Sequence, residues 1–178
     1  MSSRLHIRIS TQAQTLTLLM LTPEVETEDG LRWAPNAPGR ILMQVAISSS
    51  KNGCGQQRGS YQTPVGRHRI RAKIGQGAAF NSVFVGRRLT GEIWTPELAQ
   101  TFPGRDWILT RILWLSGLEP GHNRWGEVDT MRRYIYLHGS PDIVRMGEPG
   151  SIGCIRMRNS EIVTLFDLVS TETTVDIY

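Results

Sequence analysis

A chain of 178 residues with a formal net charge of +4 is the size of one domain, able to bury roughly 70% of its extended surface without disulfide staples. Two cysteines make no disulfide framework and agree with a reducing compartment. The arginines are scattered (Arg87-Arg88, Arg132-Arg133, Arg156, Arg158) rather than gathered in a stripe with interleaved aromatics. That pattern argues against a nucleic-acid partner and suits an anionic small substrate.

At the amino terminus Leu5, Ile7 and Ile9 alternate with Arg4, His6, Arg8 and Ser10, a strand pattern. The apolar stretch Leu16 to Leu21 is interrupted by Thr17, and no small-residue cleavage site follows, so it does not read as a secretory signal. No segment approaches the roughly 20 apolar residues of a membrane span. The expected location is therefore the cytoplasm. Leu5–Ser10 and Thr15–Leu21 form a hairpin around residues 11–14. Glu24 to Pro38, polar and proline-containing, reads as a loop, and Arg40–Ser48 as the next strand. Residues 49–66 are rich in Gly, Ser, Gln and Asn and end on the turn signal Thr63-Pro64-Val65-Gly66.

Farther along, His68–Lys73 and Ser82–Val85 are short strands, Pro96 to Phe102 a helical turn, and Trp107–Leu115 and Tyr134–Leu137 strongly β-prone. One segment argues firmly for a helix. Asn159 or Ser160 caps it, Glu161 sits in its first turn, and Ile162, Leu165, Phe166 and Val169 share one apolar face. Thr174–Tyr178 closes the chain with a strand. The fold class is mainly β and mainly antiparallel: a single domain over 1–178 with one supporting helix and long functional loops.

Chemistry concentrates in two stretches, RYIYLHGS ending at Ser140 and SIGCIRM starting at Ser151. A thiol becomes a strong nucleophile only with a base or a positive neighbour. His138, read as ending its strand with Gly139 allowing a sharp turn, supplies a base if the loop 141–150 folds back. Gly153 and Cys154 would then offer consecutive backbone N–H groups to an oxyanion. The Gly139 carbonyl or the Ser140 hydroxyl are the local candidates to orient the imidazole. Two other readings stand beside this one. Cys154 and His138 are also what a small buried filler and a satisfied sheet-end histidine look like, and Cys54, Cys154 and a histidine are a possible metal set.

The pattern histidine-glycine, loop, Ser-x-Gly-Cys-x-Arg-Met resembles the active-site signature of the YkuD-type L,D-transpeptidases of bacterial cell-wall metabolism. The opening segment ISTQAQTL, the stretch SYQTPVGRHRI, and VFVGRRLTGEIW with RILWLSGLEPG are similar to further parts of the same family, so the likeness spans nearly the whole chain. It implies a YkuD-like β-sandwich with the active site in a groove under a loop. Cys154 matches the nucleophile, His138 the general base and Gly139 the group orienting the ring. The backbone of Ile152, Gly153 and Cys154 matches the oxyanion site, with Ser151 and Arg156 beside the substrate. Arg156 is expected to clamp a stem-peptide carboxylate, the alternative being a local pair with Glu161 or Asp167. Most members carry histidine where this chain has Ile152, a swap that keeps the backbone N–H and removes a nearby cation.

The resemblance implies no metal and no cofactor. Its reaction is attack of Cys154 at the L-centre of diaminopimelate in a peptidoglycan tetrapeptide, with loss of D-alanine and transfer of the acyl group to water or an amine. With no signal read at the amino terminus, the favoured expectation is a hydrolytic L,D-carboxypeptidase acting on stem peptides or muropeptides in recycling. Cross-linking transpeptidation is the alternative, and a non-catalytic stem-peptide binder the reading from another class.

Overall fold

A computed structural model describes residues 4–21 and 39–178; the loop expected over Glu24 to Pro38 lies outside the described residues, apart from Pro38's flank at Gly39. The opening hairpin is β1 (Arg4–Ser10) and β2 (Thr15–Leu21), followed by β3 (Gly39–Ala46) and β4 (Gly66–Ile74). A short hairpin, β5 (Ser82–Val85) and β6 (Arg88–Ile93), leads to α1 (Pro96–Thr101), which Thr95 caps through its side-chain oxygen. Then come β7 (Ile108–Gly117), β8 (Tyr136–Ser140), β9 (Ile155–Arg158), α2 (Asn159–Leu168) and β10 (Thr174–Ile177).

The strands form one hydrogen-bonded path, β3-β2-β1-β10-β4-β7-β5-β6, with β8 branching from β7 and β9 from β8. Most pairs are antiparallel, as expected, but β1–β10 and β8–β9 run parallel. The main core draws on Ile7 and Ile9 of β1, Leu16 and Leu18 of β2, Leu113 and Leu115 of β7, Leu137 of β8 and Phe166 of α2. Strands distant along the path thus share one apolar interior, which the folding-over of a sandwich achieves. The expected mainly β class with one principal helix is what the structure has.

Differences from the sequence reading have local causes. The strand expected at Tyr134–Leu137 runs instead from Tyr136 to Ser140. Tyr134 has φ 58°, a left-handed conformation that delays the strand. Gly139 therefore makes no sharp turn; it lies inside β8. β6 and β9 were not foreseen, the first because its burial pattern is almost wholly exposed, the second because four residues carry little periodicity. The cap of α2 is Arg158 rather than Asn159 or Ser160. Glu161, as expected in the first turn, accepts the Arg158 N–H at 3.2 Å.

His68 on β4 is fully buried and satisfied at both ring nitrogens, Nδ1 with the Gly66 carbonyl at 2.9 Å and Nε2 with Thr130 Oγ1 at 3.0 Å. Donation to a carbonyl fixes the proton on Nδ1, so Nε2 accepts from the hydroxyl. Burial holds its pKa down at about 4. A histidine whose folded pKa is lowered stabilises the native state above the unfolded value and loses that contribution as pH falls through the window from 6.5 to about 4. The full loss is worth roughly 3 kcal/mol. The expected outcome is a denaturant midpoint that declines across this window, with the His68 ring resonance titrating near its lower end. A His68 titration near 6.5 would contradict it.

Candidate active site

Parallel pairing of β8 with β9 builds the site. The register sets Leu137 opposite Ile155, His138 opposite Arg156 and Gly139 opposite Met157. Side chains alternate between the two faces of a strand. Leu137, Ile155 and Met157 accordingly enter the main core, while Tyr136 joins a separate cluster against which Cys154 packs. His138 and Arg156 share the parity of Tyr136 and Cys154. The loop expected to fold back does so, bringing Cys154 beside the strand that carries His138.

Cys154 is half-buried. Its sulfur accepts the Tyr136 N–H at 3.4 Å and its thiol donates to the Tyr134 carbonyl at 3.4 Å. His138 is fully buried, and its Nδ1 lies 2.8 Å from the Gly139 carbonyl. A carbonyl only accepts, so Nδ1 carries the proton and Nε2 presents its lone pair. Nε2 is buried without a hydrogen-bond partner among the described residues. Of the candidates to orient the ring, Gly139 does so through its carbonyl. The Ser140 hydroxyl donates instead to the Met157 carbonyl at 2.9 Å.

No hydrogen bond joins the thiol to His138 among the described residues; the thiol is turned toward Tyr134. Rotation about one side-chain bond redirects it, and catalytic hydrogen bonds in ligand-free sites are commonly formed only with substrate. Burial pushes the Cys154 thiol up to about 12, with the Asp106 charge adding to the rise and the Tyr136 N–H, Arg156 and Arg133 opposing it. Burial also lowers the His138 pKa, against the pull of Asp106. Both shifts favour a neutral thiol beside a neutral imidazole. Neither shift favours a preformed thiolate–imidazolium pair.

The turn before Cys154 is held by side chains. Ser151 Oγ donates to the Cys154 carbonyl at 2.5 Å and accepts the Gly153 N–H at 3.2 Å. Ser151 is 1% exposed. Its hydroxyl, expected beside the substrate, is here engaged in shaping the turn. The Gly153 N–H, expected as an oxyanion donor, is tied to Ser151 Oγ in this structure. The N–H groups of Ile152 and Cys154 take no backbone or side-chain acceptor among the described residues, and these two remain available. Gly153 has φ +132°, a conformation that favours glycine. Its carbonyl accepts from Thr63 Oγ1 at 2.9 Å, so the loop 49–66 clasps the motif.

Arg156 does not stand free for a carboxylate. Nη2 pairs with Asp106 Oδ1 at 2.5 Å and Nη1 donates to the Gly150 carbonyl at 3.0 Å. The expected local pairing with Glu161 or Asp167 is corrected, since the acidic partner lies fifty residues upstream; these two bonds use two of the five N–H donors of the guanidinium. Ile152, at 44% exposed, contributes backbone and no cation. Cys54 is exposed, its sulfur 3.2 Å from Thr11 Oγ1. Among the described residues no three His, Cys, Asp or Glu side chains gather as metal ligands, so the Cys54/Cys154/His set finds no site there.

Sequence reasoning missed several residues that position this machinery. Arg133 donates to the carbonyls of Gly55, Gln56 and Gln62, at 2.9, 2.8 and 2.6 Å, tying the loop 49–66 to the segment before β8. Behind the site, Asn159 Oδ1 accepts from Thr110 Oγ1 at 2.7 Å and its Nδ2 donates to the Ser140 carbonyl at 3.2 Å. Asn159 explains the glycine at 139. A Cβ there would overlap Asn159 Oδ1 and stand 2.7 Å from the Leu109 carbonyl.

The sequence matches the family model for the L,D-transpeptidase catalytic domain (YkuD) over residues 4–177. The chain belongs to that family. The fold is that of solved L,D-transpeptidases: one from Mycobacterium smegmatis has TM-score 0.56 and 16% identity, covering 99% of this chain and 59% of its own. L,D-transpeptidase 3 from Mycobacterium tuberculosis, solved with a faropenem-derived adduct, gives 0.53 and 16%, covering 99% and 60%. An Enterococcus faecium L,D-transpeptidase gives 0.52 and 14%, covering 98% and 50%. This chain therefore spans about half to three fifths of those structures. No curated protein matches it.

Two substitutions test the geometry. Gly139→Ala should destabilise the fold by about 1–3 kcal/mol, as overpacking does, and displace the His138 ring, read as a lowered melting temperature together with lost thiol reactivity. Arg156→Ala should leave Asp106 unopposed, raising the His138 pKa and moving the acid limb of the thiol-alkylation profile to higher pH. An unmoved limb would remove Arg156 from the electrostatics of the pair.

Proposed function

We propose that this domain catalyses cysteine-dependent acyl transfer at the L,D bond between diaminopimelate and D-alanine in peptidoglycan tetrapeptides. One observation carries the reading: Cys154 of the family motif contacts Tyr136, two residues along β8 from a histidine of the same parity, whose Nδ1 proton is committed to Gly139, leaving a buried, unshared lone pair on Nε2. When substrate enters, the thiol turns from the Tyr134 carbonyl, His138 Nε2 takes its proton, and sulfur attacks the carbonyl carbon. The Ile152 and Cys154 N–H groups stabilise the oxyanion, a contribution worth roughly 10²- to 10³-fold for one such donor. The proton on Nε2 then passes to the departing D-alanine nitrogen, leaving a thioester.

For the second half-reaction we favour water as the acceptor, which makes the domain an L,D-carboxypeptidase of muropeptide recycling with its substrate pool in the cytoplasm. Water needs no second groove to orient it, whereas an amine acceptor does. A cross-linking transpeptidase would use the same residues. The non-catalytic binder draws its support from the raised Cys154 pKa, since a binder has no use for a thiolate; covalent labelling of Cys154 by an electrophile separates it.

Incubation with a defined tetrapeptide, with and without an amine, decides among these. The expected products are tripeptide and D-alanine without any added amine. Mainly cross-linked dimer would move the assignment to transpeptidation. Cys154→Ala should abolish D-alanine release with the fold intact, while Cys54→Ala should leave it close to the parent. His138→Ala should slow the reaction by about 10²- to 10⁴-fold. A carbapenem or penem should add covalently to Cys154, seen by intact-mass spectrometry; absence of any adduct together with absence of turnover would leave the binder.

A further inference from the structure

Besides Arg156, which pairs with Asp106, the β5–β6 hairpin carries a further cation. Its turn passes through Gly86 and Arg87, with φ 54° and 68°. Two successive positive φ values are the signature of a tight turn that suits Gly and Asn far better than arginine. The strained arginine is held by what it touches. Arg87 Nη1 donates to Tyr136 Oη at 3.0 Å, and its Cζ lies 4.6 Å from the Trp114 ring centroid and 4.9 Å from that of Tyr134.

Those contacts lead straight to the nucleophile. Tyr136 donates its N–H to Cys154 Sγ, and the Tyr134 carbonyl accepts from it, each at 3.4 Å. The guanidinium thus meets the side chains of the two residues whose backbone contacts the sulfur. Tyr134, the outer ring of this wall, is 52% exposed. Arg69, Arg105 and Arg156 each pair with an acid, while no acidic side chain pairs with Arg87 among the described residues. Arg71, 5.9 Å from the Trp114 centroid, adds charge without reaching Tyr136. A guanidinium has five N–H donors in a fixed fork, and one of them accounts for Tyr136.

We propose that Arg87 binds a carboxylate of the substrate peptide and so fixes the scissile bond over Cys154; this deepens the function proposed above and rests on it. Two rings hold the cation in place before substrate arrives, which reduces the entropy lost on binding. The substrate class is a peptide with a free carboxylate at or next to the scissile bond. The carboxylate of the terminal D-alanine and that on the diaminopimelate side chain share this chemistry. A latch that only fastens the hairpin to Tyr136 is the competing role.

Calorimetric binding in a Cys154→Ala background separates the roles and does not depend on turnover. The titrants are the tetrapeptide, its terminal amide and its side-chain amide. With Arg87 present, the free acid should bind about tenfold to a hundredfold more tightly than one of the two amides, the range of a charge-assisted pair, and the discriminated amide identifies the carboxylate. Arg87→Gln should bring that ratio close to one, with Arg87→Lys between. A ratio unchanged in Arg87→Gln, equal weakening of all three peptides together with a lowered melting temperature, or no discrimination or binding in the parent would each overturn the proposal. Failure of the intact Cys154 protein to release D-alanine would instead count against the proposed reaction.

Discussion

The parallel register of β8 and β9 is the constraint on which the site depends. Parallel neighbours cannot be joined by a tight hairpin; they need a connection of about a dozen residues or more. Here that connection is the loop 141–154, and it delivers Cys154 just before β9 and beside the start of β8 at Tyr136. The same register decides which side chains see the substrate face. Shift it by one residue and His138 would enter the core while Leu137 faced the groove. Ile155 and Met157, locked at 0% exposure in the main core, hold the register from the other side.

Around that frame the electrostatics are arranged against charge in the resting state. Cys154 and His138 are each pushed toward neutrality chiefly by burial. Asp106 strengthens this at the thiol and weakens it at the imidazole, while Arg156 does the reverse. Because Arg156 and Asp106 pair with each other, their effects on the nucleophile and base largely cancel. Desolvation is left as the dominant influence. The acyl transfer proposed above therefore calls for substrate to bring sulfur, imidazole and carbonyl into line.

Much of this was legible in the sequence, for reasons that can be stated. Alternation along Leu5–Ser10 and the 3.6-residue spacing of Ile162, Leu165 and Phe166 are local signals, and they located β1 and α2. The His-Gly and Ser-x-Gly-Cys motifs located the chemical pair, and glycine at 139 reflects a real steric demand from Asn159. What stayed hidden depends on contacts between residues far apart in the chain. Asp106 and Arg156, Thr63 and Gly153, and Arg133 and the carbonyls of the loop 49–66 meet only after folding. A short exposed strand such as β6 has no burial pattern to betray it.

Ile152 shows how function can rest on backbone where side-chain identity has changed. Its side chain is exposed and its N–H is free among the described residues, so the position contributes a donor whatever residue fills it. The neighbouring donor at Gly153 is spent on Ser151, and that bond is what aims the other two. Ser151 gives its hydroxyl to the Cys154 carbonyl and takes the Gly153 N–H, closing a turn in which Gly153 supplies the backbone angle no other residue adopts easily. Two amides without an acceptor among the described residues then flank a third that is bonded within the turn. The shape of this turn is set by Ser151 and Gly153, so the N–H at 152 is offered whatever side chain stands there.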